Sequence, residues 1–121
     1  MSAKKILIVD DSATDRQFFL EALTRHGYEC ITANDGAEGI DRAKIDQPDL
    51  ILMDVVMPGI DGYKATRTIA HDDATKHIPV IICTSRSQET DRLWGMRQGA
   101  KDFLVKPINA KELVAKVAAA S

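Results

Sequence analysis

Five side chains stand where short apolar runs stop: Asp10 and Asp11 after residues 6–9 (Ile-Leu-Ile-Val), Asp54 after 50–53 (Leu-Ile-Leu-Met), Thr84 after 80–83 (Val-Ile-Ile-Cys) and Lys106 after 102–105 (Asp-Phe-Leu-Val). Taken singly they are ordinary. An acidic pair before a helix is commonly a cap, a threonine after a strand is commonly a turn hydroxyl, and a lysine is commonly a solvated surface charge. Brought together they are not ordinary, because three carboxylates repel: at roughly 4 Å and an effective dielectric near 20, each pair costs about 4 kcal/mol. A positive charge must offset that. An all-oxygen set without Cys or His favours a hard cation, and Mg²⁺ is the natural guest, since it takes one or two carboxylates and keeps positions for water and phosphoryl oxygens. A carboxylate is already ionised at neutral pH and can itself be the nucleophile that accepts a phosphoryl group. The metal, the Lys106 ammonium and the Thr84 hydroxyl would then meet the charge on the transferring oxygens.

The chemistry requires elements that bring these positions to one edge. The chain repeats a short apolar run followed by a helix-length amphipathic stretch five times, with runs at 6–9, 29–32, 50–53, 80–83 and 102–105. Three runs are continuously apolar, as strands buried on both faces should be; the second and fifth are mixed and are placed nearer an edge. Helix punctuation lies between them. Ser12 with Asp15 is a capping-box-like start and Gly27 a stop; Asn34 or Asp35 caps the second helix, Asp61 the third, Ser87 begins the fourth with Gly99 ending it, and Asn109 with Glu112 opens the fifth. Strands alternating with helices over short connections imply parallel βαβ units, and right-handed crossovers favour an open doubly wound sheet. In such sheets ligands bind at the carboxyl ends of the strands, which is where Asp10, Asp11, Asp54, Thr84 and Lys106 fall.

Composition bounds the rest. The 121 residues make one domain, 1–121, with 16 Lys plus Arg against 18 Asp plus Glu and a formal net charge of −2. No basic excess marks a nucleic-acid surface. No apolar stretch approaches the roughly 18 residues of a membrane span, and the run at 6–9 is too short for a signal peptide, so no membrane insertion and a cytoplasmic location are expected. Cys30 and Cys83 lie far apart without a partner motif and read as small core hydrophobes.

The stretches Ile6-Leu7-Ile8-Val9-Asp10-Asp11-Ser12, Met53-Asp54-Val55-Val56-Met57-Pro58-Gly59-Ile60-Asp61-Gly62, Thr84-Ser85 and Lys106-Pro107 resemble, in order and spacing, the receiver domains of two-component response regulators, specifically stand-alone receivers of the CheY type. The resemblance covers essentially the whole chain. It implies an α/β fold, flavodoxin-like and doubly wound, (βα)5 with a five-stranded parallel sheet in the order 2-1-3-4-5. It implies that Asp54 is phosphorylated by a histidine kinase, and that Asp11 and Asp54 ligate Mg²⁺, with Asp10 acting through water and the backbone carbonyl of Val56 completing the set. Thr84 and Lys106 would bind phosphoryl oxygens, and the Lys106–Pro107 bond would be cis. Thr84 would move toward the phosphoryl group while the aromatic at Phe103 turns inward. Several relatives have Tyr there; without a hydroxyl, Phe103 serves equally as a switch or as a plain core residue. Val56 and Arg86 flank the acceptor and would tune water access and phosphoryl lifetime. Trp94 is a core anchor or, with Lys101 and Phe103, part of a partner-docking face.

The stretches 88–95 and 97–103 further resemble receivers of type IV pilus twitching-motility pathways, of the PilH type, which implies a chemotaxis-like histidine kinase as phosphodonor. No output domain is expected within 1–121, so a monomeric module would act through a downstream effector protein or by draining phosphoryl groups from a shared kinase. It is not expected to be an enzyme beyond its own phosphoryl transfer and autodephosphorylation. A small aspartyl phosphohydrolase would want a second acid beside the nucleophile, and the residue two after Asp54 is Val56. A flavodoxin-like cofactor binder would want Gly, Ser or Thr in its first loop to receive phosphate, where this chain has Asp10 and Asp11. A phosphorylation-independent pseudo-receiver would lack one of the acids or the lysine, and none is missing.

Overall fold

A computed structural model describes residues 4–85 and 88–120. Five strands, β1 (Lys5–Val9), β2 (Glu29–Ala33), β3 (Leu50–Met53), β4 (Val80–Thr84) and β5 (Asp102–Val105), alternate with five helices, α1 (Ala13–Arg25), α2 (Gly36–Asp46), α3 (Gly62–Ala70), α4 (Glu89–Arg97) and α5 (Ala110–Ala120). The strands form one sheet in the order β2-β1-β3-β4-β5, and every neighbouring pair is parallel. This is the doubly wound architecture expected, with the two mixed strands, β2 and β5, at the edges. Among the described residues no helix is long and apolar enough to cross a membrane.

Alternation along the three central strands divides the core. On one face Ile6, Ile8, Leu50, Leu52, Ile81, Cys83 and Leu104 pack with Phe19 and Leu23 of α1 and Leu113 and Val117 of α5. On the other, Leu7, Val9, Ile51, Met53 and Val80 meet Ala43 of α2 and Ala65 and Ile69 of α3. Successive side chains of a strand point to opposite faces, so a strand covered on both sides must be apolar throughout. A third, smaller cluster of Val55, Tyr63, Ile82, Ala100 and Phe103 lies where α4 covers the sheet. Gly95 of α4 faces it closely: a Cβ there would stand 2.8 Å from Ile82 Cδ1.

The helix starts follow the polar residues placed before them. Ser12 Oγ accepts from the Asp15 amide, Asp35 from that of Glu38, Asp61 from that of Lys64, and Asn109 from those of Lys111 and Glu112. Helix α4 differs: its N-cap residue is Gln88, which makes no side-chain cap bond. The expected start at Ser87 lies outside the described residues.

The first turn of α3 is pressed against the loop that follows β3. The Gly62 amide donates to the Val55 carbonyl at 3.0 Å, and a Cβ at Gly62 would overlap the Asp54 carbonyl oxygen. Only glycine permits this approach, because the obstacle is backbone and cannot rotate away. Gly62→Ala is therefore expected to cost about 1–3 kcal/mol in chemical denaturation. Lys64→Ala, two residues on and exposed, should change stability by less than about 0.5 kcal/mol.

Candidate functional site

The chain runs from β1 to β2 on one side and returns to β3 on the other, so the carboxyl ends of β1 and β3 flank the point where strand order reverses. Both acids there are fixed by the sheet itself. The Asp10 amide donates to Ala33 O at 3.1 Å, and the Asp54 amide to Val9 O at 2.9 Å, continuing the ladder one rung past the strands. Their side chains are almost fully buried, while Asp11 is exposed. The carboxylates of Asp10, Asp11 and Asp54 each present an oxygen, and these oxygens lie within 4.8 Å of one another. The three acids read from the sequence are thus brought together.

Lys106 enters from the other side. Its ammonium donates to Asp10 Oδ2 at 2.7 Å and to Asp15 Oδ2 at 2.8 Å, and stands 3.7 Å from Asp54 Oδ1. Its backbone amide donates to Thr84 O at 2.8 Å, which ties the lysine to the end of β4. The peptide bond between Lys106 and Pro107 is cis. Thr84 is fully buried.

Two members of the surroundings were not read as such from the sequence. Asp15 reads in the sequence as a capping acid, and Ser12 does cap its amide. In a capping box the acid at this position also reaches back to the amide of the cap residue; here the Ser12 amide donates instead to Asp10 Oδ1 at 2.9 Å. The Asp15 carboxylate is released from that duty and goes to Lys106. The legible signal was an acid one helical turn beyond an acidic pair. Arg16 is the other: its Nη1 donates to the Asp10 carbonyl at 2.7 Å, so the first turn of α1 wraps the Asp10 backbone.

Other sequence candidates fall outside this cluster. Val56 is 56% exposed in the loop after β3; Arg86 lies outside the described residues. Phe103 is buried, 6% exposed, in the cluster under α4. Trp94 is about half exposed and no core anchor, and Lys101 is exposed as well. Phe103 therefore does not share their open surface. Cys83 is buried and Cys30 partly buried, both free thiols, and burial pushes both up from their ordinary values.

The electrostatics follow from burial. Loss of solvent and then the neighbouring Asp10 charge push the Asp54 carboxyl up to about 6, with Asp11 adding to the rise and Lys106 and the Val55 amide opposing it. The Val55 amide donates to Asp54 Oδ1 at 2.8 Å. Burial would push the Lys106 ammonium down, but its hydrogen bonds to Asp10 and Asp15 outweigh that and hold it above its ordinary value. One ammonium does not neutralise four acids. The donors are all carboxylate oxygens, with no sulfur or imidazole among them, so the set fits a hard divalent cation.

A carboxyl raised in the folded state favours folding while protonated. That advantage is present below about pH 4, the ordinary range, and is lost as pH rises through about 6. In chelator at pH 7.5, Asp54→Asn should therefore exceed wild type in stability by about 3 kcal/mol, with a gap that closes on acidification through pH 6 to 4. Thermal unfolding across pH measures it, and added Mg²⁺ should narrow the gap by stabilising wild type.

The model for the response regulator receiver domain matches residues 6–118. The chain is 46% identical over 110 residues to protein PilH of Pseudomonas aeruginosa, covering 91% of each. It is 44% identical over 117 residues to the response regulator PleD of Caulobacter vibrioides, spanning 97% of this chain but only 26% of that longer protein. Among solved structures, Vibrio cholerae chemotaxis protein CheY4 superposes with a TM-score of 0.92 at 31% identity, covering 98% of this chain and 99% of that one. Domains of this kind bind Mg²⁺ at an acidic group such as Asp10, Asp11 and Asp54 form. Rim geometry, strand order and sequence relationship converge: the chain belongs to the response regulator receiver domain family.

Proposed function

We propose that Asp54 accepts a phosphoryl group from a phosphohistidine of a chemotaxis-like histidine kinase, in a two-component pathway that controls type IV pilus twitching motility. The observation that carries the reading is the convergence of three carboxylates and one ammonium at the reversal point of the sheet. An Asp54 carboxylate oxygen attacks phosphorus, the bond from phosphorus to the imidazole nitrogen breaks, and its electron pair stays on the ring. Asp10 and Asp11, with Asp54 and the Val56 carbonyl, would hold Mg²⁺, which supplies charge neutralisation for the transferring oxygens. Lys106 meets that charge from the other side with a compact ammonium, and Thr84 supplies a hydroxyl at the neighbouring strand end.

Burial serves this chemistry in a definite way. Asp54 is 7% exposed, which limits the waters that reach the acyl phosphate, and Val56, exposed two residues on, would tune phosphoryl lifetime. The similarity to PilH supports the assignment to motility, and the absence of a second acid at position 56 argues for a signalling module over a phosphohydrolase. The changed surface after phosphorylation would be read by an effector protein at a face that includes Trp94 and Lys101. A cytoplasmic module meets both partners.

Incubation with acetyl phosphate and Mg²⁺ should add one phosphoryl group to the intact mass. Asp54→Asn should gain none, chelation of the metal should abolish labelling, and Lys106→Ala should slow it about 10²- to 10³-fold. Full labelling of Asp54→Asn would place the acceptor elsewhere.

A further inference from the structure

Resting on that reading, we propose that Asp15 is a positioning residue for phosphoryl transfer, holding the Lys106 ammonium jointly with Asp10 so that its third N–H is kept for an oxygen at Asp54. An ammonium carries three donors. Two are committed at 2.7 and 2.8 Å, to Asp10 Oδ2 and Asp15 Oδ2. Asp54 Oδ1, at 3.7 Å, is beyond hydrogen-bond distance. A group added to Asp54 brings new oxygens into that interval. A two-point hold fixes where the remaining donor points, whereas a one-point hold leaves a four-carbon side chain free to swing.

Asp15 is suited to this duty for three reasons. Its carboxylate has no capping bond to make, because the Ser12 amide is satisfied by Asp10. It lies outside the group of three acids whose oxygens cluster. A cation held by that group therefore does not compete for the Asp15 carboxylate. Finally, Asp15 is a helical residue of α1 with its amide anchored by Ser12 at 3.2 Å, so the hold comes from a rigid element and not from the loop that carries Lys106. The side chain of Lys106 is 16% exposed against 41% for Asp15, which places the contact at the mouth of the site with its cationic end inside.

The test compares wild type, Asp15→Asn and Asp15→Glu. The first readout is the rate of labelling by acetyl phosphate at saturating Mg²⁺, and the second is the ammonium NMR signal of Lys106 in the metal-free protein. Asp15→Asn should label about three- to tenfold more slowly than wild type and lose the slowly exchanging Lys106 signal, while Asp15→Glu should retain the signal and recover most of the rate. An Asp15→Asn protein that labels at the wild-type rate overturns the inference. So does one that labels slowly with the Lys106 signal unchanged, since the loss would then be structural. Wild type that fails to label at all overturns the phosphoacceptor reading and the inference with it, an outcome distinct from the other two.

Discussion

Mutual repulsion among carboxylates is the constraint around which this molecule is arranged. Two acids end adjacent parallel strands and are nearly excluded from water, where like charges interact most strongly. Neither can retreat, because their amides complete hydrogen bonds of the sheet. The ammonium of Lys106 offsets part of the repulsion, and what remains shows as an Asp54 carboxyl pushed up to about 6, first by burial and then by Asp10. A site held in that condition attracts positive charge. The fold supplies rigidity and the site supplies tension.

The rigidity has an identifiable origin. Apolar residues cover both faces of the central strands, so a one-residue slip of β1 or β3 would exchange two closely packed faces and draw a flanking charge such as Asp10 or Asp54 into the sheet. Parallel pairing then fixes which residues emerge together at the carboxyl edge. Placement of Asp10 beside Asp54 is thus a consequence of core packing many ångströms away. Helix α4 is attached differently. It has no side-chain cap at its start and carries the exposed Leu93, Trp94 and Met96. It is held to the sheet through the small cluster around Phe103, and to α3 by the Tyr63 hydroxyl, which donates to the Asp91 carbonyl at 3.2 Å.

Much of this was legible in the sequence because the determinants are local or periodic. Continuous apolar runs mark buried parallel strands, and the residue after each run marks the rim, so Asp10, Asp11, Asp54, Thr84 and Lys106 stand out in the sequence alone. What was not legible depends on competition between partners. Asp15 looks like a capping acid in the sequence, and only the structure shows that Asp10 has taken the amide it would have bound. Arg16 is another surface arginine until its guanidinium is seen on the Asp10 carbonyl. The exposure of Trp94 was equally undetermined, since helical spacing puts a side chain on a face without saying whether another element covers it. Phe103, grouped with Trp94 and Lys101 as a surface candidate, lies under α4 for the same reason.

The glycine at the start of α3 carries a consequence for how motion passes through the molecule. With no side chain between them, the helix end and the loop after β3 meet backbone to backbone, through the Gly62 amide and the carbonyls of residues 54 and 55. A contact of that kind has no rotamers to absorb a displacement. The loop therefore has a hard backstop, and any shift of Asp54 toward α3 must be carried by the helix as a rigid lever or not occur at all.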